Sequence, residues 1–374
     1  MKNETHLLER IAQLEQTKLD IGIVALTDCA PLVMAKHLGL FEKWGLDVSL
    51  HTQPSWATMR DRLHANLLDA AQVLAPMPLS SSLGLNGAKC ELITAFNLSM
   101  NGNGITLSKS IFEQIVALND GTPPSFPLSS NWIAKLVKQR QSKGAEKLKF
   151  AAVYPFSCHF YQLRDWLAQA DIDVDRDIDV VIVPPTNMTE ALRNNEIDGF
   201  CVGTPWNAKA VRAGFGVTVI TSCDIWDDAP EKVLAVTKKW QQNNPNTFLA
   251  LMAAVQQACD WLLSTANRFE TARILQDYLH EPLDVIAPSL IGSCLTIEGH
   301  SPREIPAYNR FVSDSANMPK KSQGQTLLSK MRNAGQLPHA FTDSDLDAVL
   351  NSVYRDDLYQ QMQDIMTQYG EAKG

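Results

Sequence analysis

Apolar runs of strand length alternate with helix-period segments along much of this chain, and that alternation leaves few folds open. Leu19 to Leu26 (LDIGIVAL) reads as a buried strand, with Thr27-Asp28 after it as a helix-capping pair. Ala30 to Phe41 carries helical periodicity and stops near Gly45. Further strands are expected at Leu46–His51, Asp69–Leu74 and Glu91–Phe96, with helices at Trp56–Leu63 and Met77–Leu83. Strands and helices in turn at this spacing predict βαβ units around a parallel sheet, and so an α/β fold.

The pattern breaks at Asn101-Gly102-Asn103-Gly104. Beyond it lie a helical segment, a loop from Asn119 to Ser130 with three prolines, and a lysine-rich helix to about Lys143. Alternation resumes at Leu148–Val153 and continues through Val180, Ile197 and Val217. A return segment, Lys232–Val236, then leads into a helical C-terminal part. Two α/β halves joined by a crossing and a return predict two lobes with a ligand cleft between them. The expected division is an N-terminal helix over 1–18, a first lobe from 19–103 plus 230–374, and a second lobe over 104–229.

A formal net charge of −8 argues against nucleic acid held by general electrostatics, yet leaves room for one locally positive cleft. The seven cysteines, at 29, 90, 158, 201, 223, 259 and 294, form no CxxC pair. They predict neither a disulfide framework nor a zinc site, and they suit a reducing compartment. The first residues carry Glu4, Glu9, Arg10 and Glu15 and no signal-like apolar run, which predicts a cytoplasmic protein if Met1 is the natural start. Leu7, Leu8, Ile11 and Leu14 share one helix face, which would pack on its own lobe or dock a partner. With no GxSxG, HExxH, P-loop or GxGxxG run in its proper context, neither catalysis, nor a cofactor, nor a metal is expected.

Cys158 to Trp206 is the richest stretch for a binding site. His159 stands ahead of the strand-like run Ile178–Val183, which ends in Pro184-Pro185. Gly199 to Asn207 (GFCVGTPWN) reads as a strand running into a helix, with Thr204 as N-cap and Pro205 at the first helical position. Two strand-to-helix corners beside one histidine make a natural anion cradle of free N–H groups.

With these pieces the chain resembles the nitrate/bicarbonate solute-binding proteins of ABC transporters, a branch of the type II periplasmic-binding-protein fold. The resemblance rests on Ala25 to Leu32 (ALTDCAPL), Ser55 to Asp61 (SWATMRD) and Gly199 to Asn207. It extends to Asp224-Ile225-Trp226 with Pro230-Glu231-Lys232, and to Asn333 to Pro338. The start of the chain resembles one branch in particular, cytoplasmic nitrate/nitrite sensors that control an RNA-binding antiterminator. The resemblance implies a two-lobed clamshell that closes on nitrate or nitrite, with the antiterminator as partner. The alternative use is as the binding component of a nitrate or bicarbonate transporter.

The resemblance also implies the ligand set. Lys232 would be the charge partner; at about 4 Å and an effective dielectric near 20 such a pair is worth roughly 4 kcal/mol before desolvation. His159 and Trp56 would donate N–H groups, and Asn103 stands where the family pattern has a glutamine. Thr27, Asp28 and Thr204 complete the candidates, although all three read first as helix caps. Thr204 replaces an expected acidic residue. Ala316 to Lys321 (ANMPKK) also departs from the pattern and is expected on the surface. Because Lys232, Trp56, His159 and Asn103 can all donate, a donor-only pocket favours nitrate or nitrite over bicarbonate, which brings a proton of its own.

Overall fold

The apolar runs become the strands of two mixed sheets, not the parallel sheet expected from the alternation. The computed structural model describes residues 13–85, 87–311 and 316–371. Four strands open the first sheet: β1 (Lys18–Ile23), β2 (Asp47–Thr52), β3 (Ala70–Leu74) and β4 (Leu92–Asn101). The second sheet holds β5 (Asn103–Ser108), β6 (Leu148–Ala152), β7 (Ile178–Ile182), β8 (Gly199–Gly203) and β9 (Gly216–Thr221). The chain then returns to the first sheet through β10 (Pro230–Thr237) and the short strand Asn309–Arg310.

Within each sheet the βαβ strands do run parallel: β1 with β2 and β3, β6 with β7 and β8. The crossing strands break the pattern. β5 lies antiparallel between β8 and β9, and β10 lies antiparallel between β3 and β4. A strand that enters a sheet straight from the other one has no crossover helix to turn it round, so it arrives head to tail with its neighbours.

Asn101-Gly102-Asn103-Gly104 therefore does not end a strand; it joins two. Only Gly102 separates β4 from β5, and its φ of +92° is a conformation that side chains disfavour. A Cβ there would also lie 2.4 Å from Asn309 Oδ1. The two crossings run side by side: Asn101 N–H donates to Ala229 O at 2.9 Å, and Ala229 N–H to Asn101 Oδ1 at 3.2 Å. Paired crossings of this kind form a natural hinge.

The helices follow the expected periods, with one early stop. Ala30–His37 is a helix, then Gly39 turns left-handed (φ +68°) and a short turn, Leu40–Lys43, follows. Met77–Leu83 and Trp56–His64 are helices, the latter capped by Ser55 Oγ accepting from Thr58 N–H at 3.1 Å. Leu7, Leu8, Ile11 and most of the expected N-terminal helix lie outside the described residues. Residues 13–17 are not helical. Glu15 there accepts from Thr247 N–H at 2.9 Å, at the start of the buried helix Pro245–Trp261. Among the described residues no helix is long and apolar enough to cross a membrane.

Ala316 to Lys321 is a correction. Ala316, Asn317 and Pro319 are buried, and only Lys320 and Lys321 are exposed. Asn317 Nδ2 donates to Phe311 O at 2.7 Å and Asn97 O at 2.9 Å, while Asn97 Nδ2 donates back to Ala316 O. Paired amides satisfy this inserted backbone from within, so its polarity does not bring it to the surface.

Candidate functional site

Lys232 is the third residue of β10 and is completely buried. A buried ammonium needs anionic partners. Its Nζ lies 2.7 Å from Glu231 Oε1 and 2.9 Å from Asp28 Oδ2. Side chains of consecutive strand residues point to opposite faces. Here the register of β10 against β4 slips on both sides of Lys232, and this bulge lets Glu231 and Lys232 meet.

The second sheet supplies the other wall. Asn103, the first residue of β5, donates through Nδ2 to Glu231 Oε2 at 2.7 Å and Gln162 Oε1 at 2.9 Å. His159 and Gln162 lie three residues apart on one face of the helix Cys158–Ala168. His159 Nδ1 is 3.5 Å from Glu231 Oε1. Ser157 caps that helix, accepting from Phe160 N–H at 3.1 Å and donating to Tyr154 O at 2.6 Å. Ser157→Ala should thus lower stability by about 1 kcal/mol, read as a lower midpoint in urea unfolding. Trp56, the first residue of its helix, places its ring centroid 5.4 Å from Lys232 Nζ.

Four of the candidate residues, Lys232, His159, Trp56 and Asn103, thus meet in one buried network, and Asp28 joins them. Thr27 and Thr204 do something else. Their hydroxyls hydrogen-bond each other, Thr27 N–H donates to Thr204 O at 2.9 Å, and Asn309 Nδ2 donates to Thr204 Oγ1 at 3.0 Å. With Trp206 Nε1 donating to Ala25 O at 3.1 Å, these contacts tie the sheets together across the seam.

The capping roles expected for Thr27, Asp28 and Thr204 are corrected. Leu26 precedes a turn at Thr27–Cys29, Cys29 precedes the helix Ala30–His37, and Pro205 is the N-cap of Trp206–Arg212; none of these ends has a side-chain cap. Thr27 and Thr204 are committed to each other across the seam, and Asp28 to Lys232 and Gln72 within the first lobe. The groups that converge on Lys232 are side chains, two of them, Trp56 and His159, in the first turns of their helices.

The pocket is also not the donor-only one expected from the sequence; it holds acceptors beside the ammonium. Two carboxylates, Glu231 and Asp28, face one ammonium. Burial pushes both carboxyls above their ordinary values, with Lys232 pulling them partway back. Burial also opposes the charge on Lys232, but Asp28 and Glu231 outweigh it and hold the ammonium above its usual range. His159 is pushed well below its usual value, first by burial and then by Lys232, so the ring is neutral. Cys158 and Cys201 beside them are raised well above a free thiol by burial and are protonated.

Sequence reasoning missed Glu231, Gln162 and Gln72. Gln72 had the clearest signal, as the polar residue in the all-buried β3 (AAQVL); its Nε2 donates to Asp28 Oδ1 at 2.5 Å.

The informative feature is what has no partner. Trp56 Nε1, Gln162 Nε2 and both ring nitrogens of His159 are buried without a hydrogen bond. Each such group costs about 1–3 kcal/mol, and buried polar groups are nearly always paired. Three donor-bearing side chains around one ammonium suit a small guest rich in acceptors.

Comparison with known proteins gives the family and the fold. Residues 12–276 match the NMT1-like family. The nitrate/nitrite binding protein NrtA of Synechococcus elongatus is 32% identical over 351 residues, 91% of this chain and 76% of that protein. The bicarbonate transport ATP-binding protein CmpC of the same species is 34% identical over 330 residues, 87% of this chain. This chain spans only 46% of CmpC's length. The crystal structure of the periplasmic nitrate-binding protein NrtA from Synechocystis matches with a TM-score of 0.85 at 29% identity, covering 94% of this chain and 89% of that one. The architecture is the two-lobed fold of periplasmic-binding-protein-like solute-binding proteins.

Proposed function

The chain belongs to the NMT1-like family, and from that premise we propose that its buried seam binds nitrate or nitrite by lobe closure. The observation that carries this is the set of unpartnered donors on Trp56, Gln162 and His159 around Lys232. Nitrate offers only acceptors and one negative charge, so it would complete all of them at once. The similarity to NrtA proteins supports the same ligand. The donor-only argument against bicarbonate no longer holds, because Glu231 can accept from its O–H.

Calorimetric titration with nitrate, nitrite and bicarbonate tests the reading. We expect one-to-one binding of nitrate or nitrite, and a higher unfolding temperature with ligand. A protein that ignores both, or prefers bicarbonate, removes the reading.

Closure can serve two ends. The NrtA and CmpC relatives support use as the solute-binding component of an ABC transporter, the permease being its partner. The finer reading, supported by resemblance alone, is a cytoplasmic sensor whose closure releases an RNA-binding antiterminator. A nitrate preference of 100-fold for one state would supply about 2.7 kcal/mol towards that release. Co-purification of an antiterminator without nitrate, lost on adding millimolar nitrate, is the expected sign; a complex indifferent to nitrate sinks the sensor.

A further inference from the structure

The charges of the seam do not balance once a proton-free anion enters. Lys232 contributes one positive charge, and Glu231 and Asp28 two negative ones, with side chains at most 2% exposed. With both carboxyls ionised the cluster sums to −1, and nitrate would take it to −2. Like charges crowded into a water-poor site favour protonation of one of them.

We propose that the site takes a second ligand, a proton: each nitrate enters with about one proton from solvent, and Glu231 holds it. This rests on the nitrate-binding reading above. The hydrogen bonds select Glu231 over Asp28. Asp28 is held by two donors that cannot turn into acceptors. One is the Lys232 ammonium; the other is Gln72 Nε2, whose amide is locked because its Oε1 accepts from Val24 N–H at 3.0 Å. Glu231 has two buried acceptors beside it that lack partners. His159 Nδ1 is 3.5 Å from Oε1, and Asn103 carries an unbonded Oδ1 on the amide whose Nδ2 touches Oε2. A Glu231 hydroxyl can donate to the neutral His159 ring, or to Asn103 after its amide turns over.

The remaining titratable groups facing Glu231 are accounted for by element. Asp28 comes from Thr27–Cys29, Cys158 and His159 from Cys158–Ala168, Cys201 from β8, and Lys232 from β10 itself. Both thiols are already protonated, and Lys232 keeps its charge. Burial has already lifted the Glu231 carboxyl, so the titration window opens above the ordinary carboxylate range and closes at the still higher value set by bound nitrate. Proton uptake on binding makes affinity fall as pH rises through that window, by up to about tenfold per pH unit.

The test is calorimetry with sodium nitrate at neutral pH in buffers of different ionisation enthalpy, repeated across a pH series. Wild type should take up about one proton per nitrate. Glu231→Gln should take up almost none and show a flat pH profile over the same window. Nitrate binding with no proton change overturns the proposal while leaving the binding reading intact. Undiminished uptake in Glu231→Gln overturns the assignment to Glu231. No response to nitrate or nitrite at any pH is a distinct result, which removes the binding reading and this inference together. If Glu231→Gln does not fold, the wild-type buffer slope decides uptake, and His159→Phe, which removes an acceptor beside Glu231 without changing the cluster's charge, decides placement. That variant should take up less than one proton per nitrate bound, and uptake as in wild type overturns the assignment.

Discussion

Lys232→Ala is expected to abolish nitrate binding at millimolar concentrations and to destabilise the protein by about 3–5 kcal/mol. The ammonium is buried, 2.7 Å from Glu231 and 2.9 Å from Asp28. Its removal leaves two buried carboxyls with no cation, lifting both further above values that burial has already raised. A group whose folded pKa exceeds its unfolded value contributes stability that is full below the unfolded pKa and lost as pH rises through the folded one. The variant should therefore lie close to wild type towards the ordinary carboxylate range and fall furthest behind at neutral pH. Thermal melts of both proteins at matched pH values read the difference directly. A variant that melts like wild type at neutral pH and still binds nitrate would place the anion elsewhere.

The same residue shows how far the sequence could be read. The placement of Lys232 at the start of the return strand holds, as does its meeting with Trp56, His159 and Asn103, because strand and helix starts follow local patterning. Glu231 was invisible for a physical reason. Period-two alternation assigns it to the face opposite Lys232, and only the slip in register around Lys232 reverses that. Such a slip is decided by pairing with β4, distant in sequence. The antiparallel entry of β5 and β10 is a tertiary fact of the same kind. Thr204 misled in the other direction: a threonine before proline at a strand end looks like a cap, but Thr27 and Asn309 compete for its hydroxyl and win. Gln162 was missed although its spacing from His159 was legible, since a helical glutamine gives no sign of the face it will share.

Trp56→Phe should separate a ligand contact from a core residue, with Trp166→Phe as its mirror. Both tryptophans are fully buried. Trp166 Nε1 donates to Leu128 O at 3.1 Å, whereas Trp56 Nε1 has no partner. Removing the Trp166 donor strands a buried carbonyl and should destabilise the protein by about 1–3 kcal/mol, leaving nitrate affinity unchanged. In Trp56→Phe, the lost packing is offset by relief of an unpaired donor worth about 1–3 kcal/mol, so anion-free stability should stay within about 1 kcal/mol of wild type. Its nitrate affinity should nevertheless fall, because an N–H bond to a charged acceptor is worth about 1.5–3 kcal/mol, or roughly 10- to 100-fold. The shift in melting temperature produced by nitrate should shrink accordingly, and in this variant alone. If Trp56→Phe instead behaves like Trp166→Phe, losing stability while keeping its affinity, the indole is part of the core and the anion is held without it.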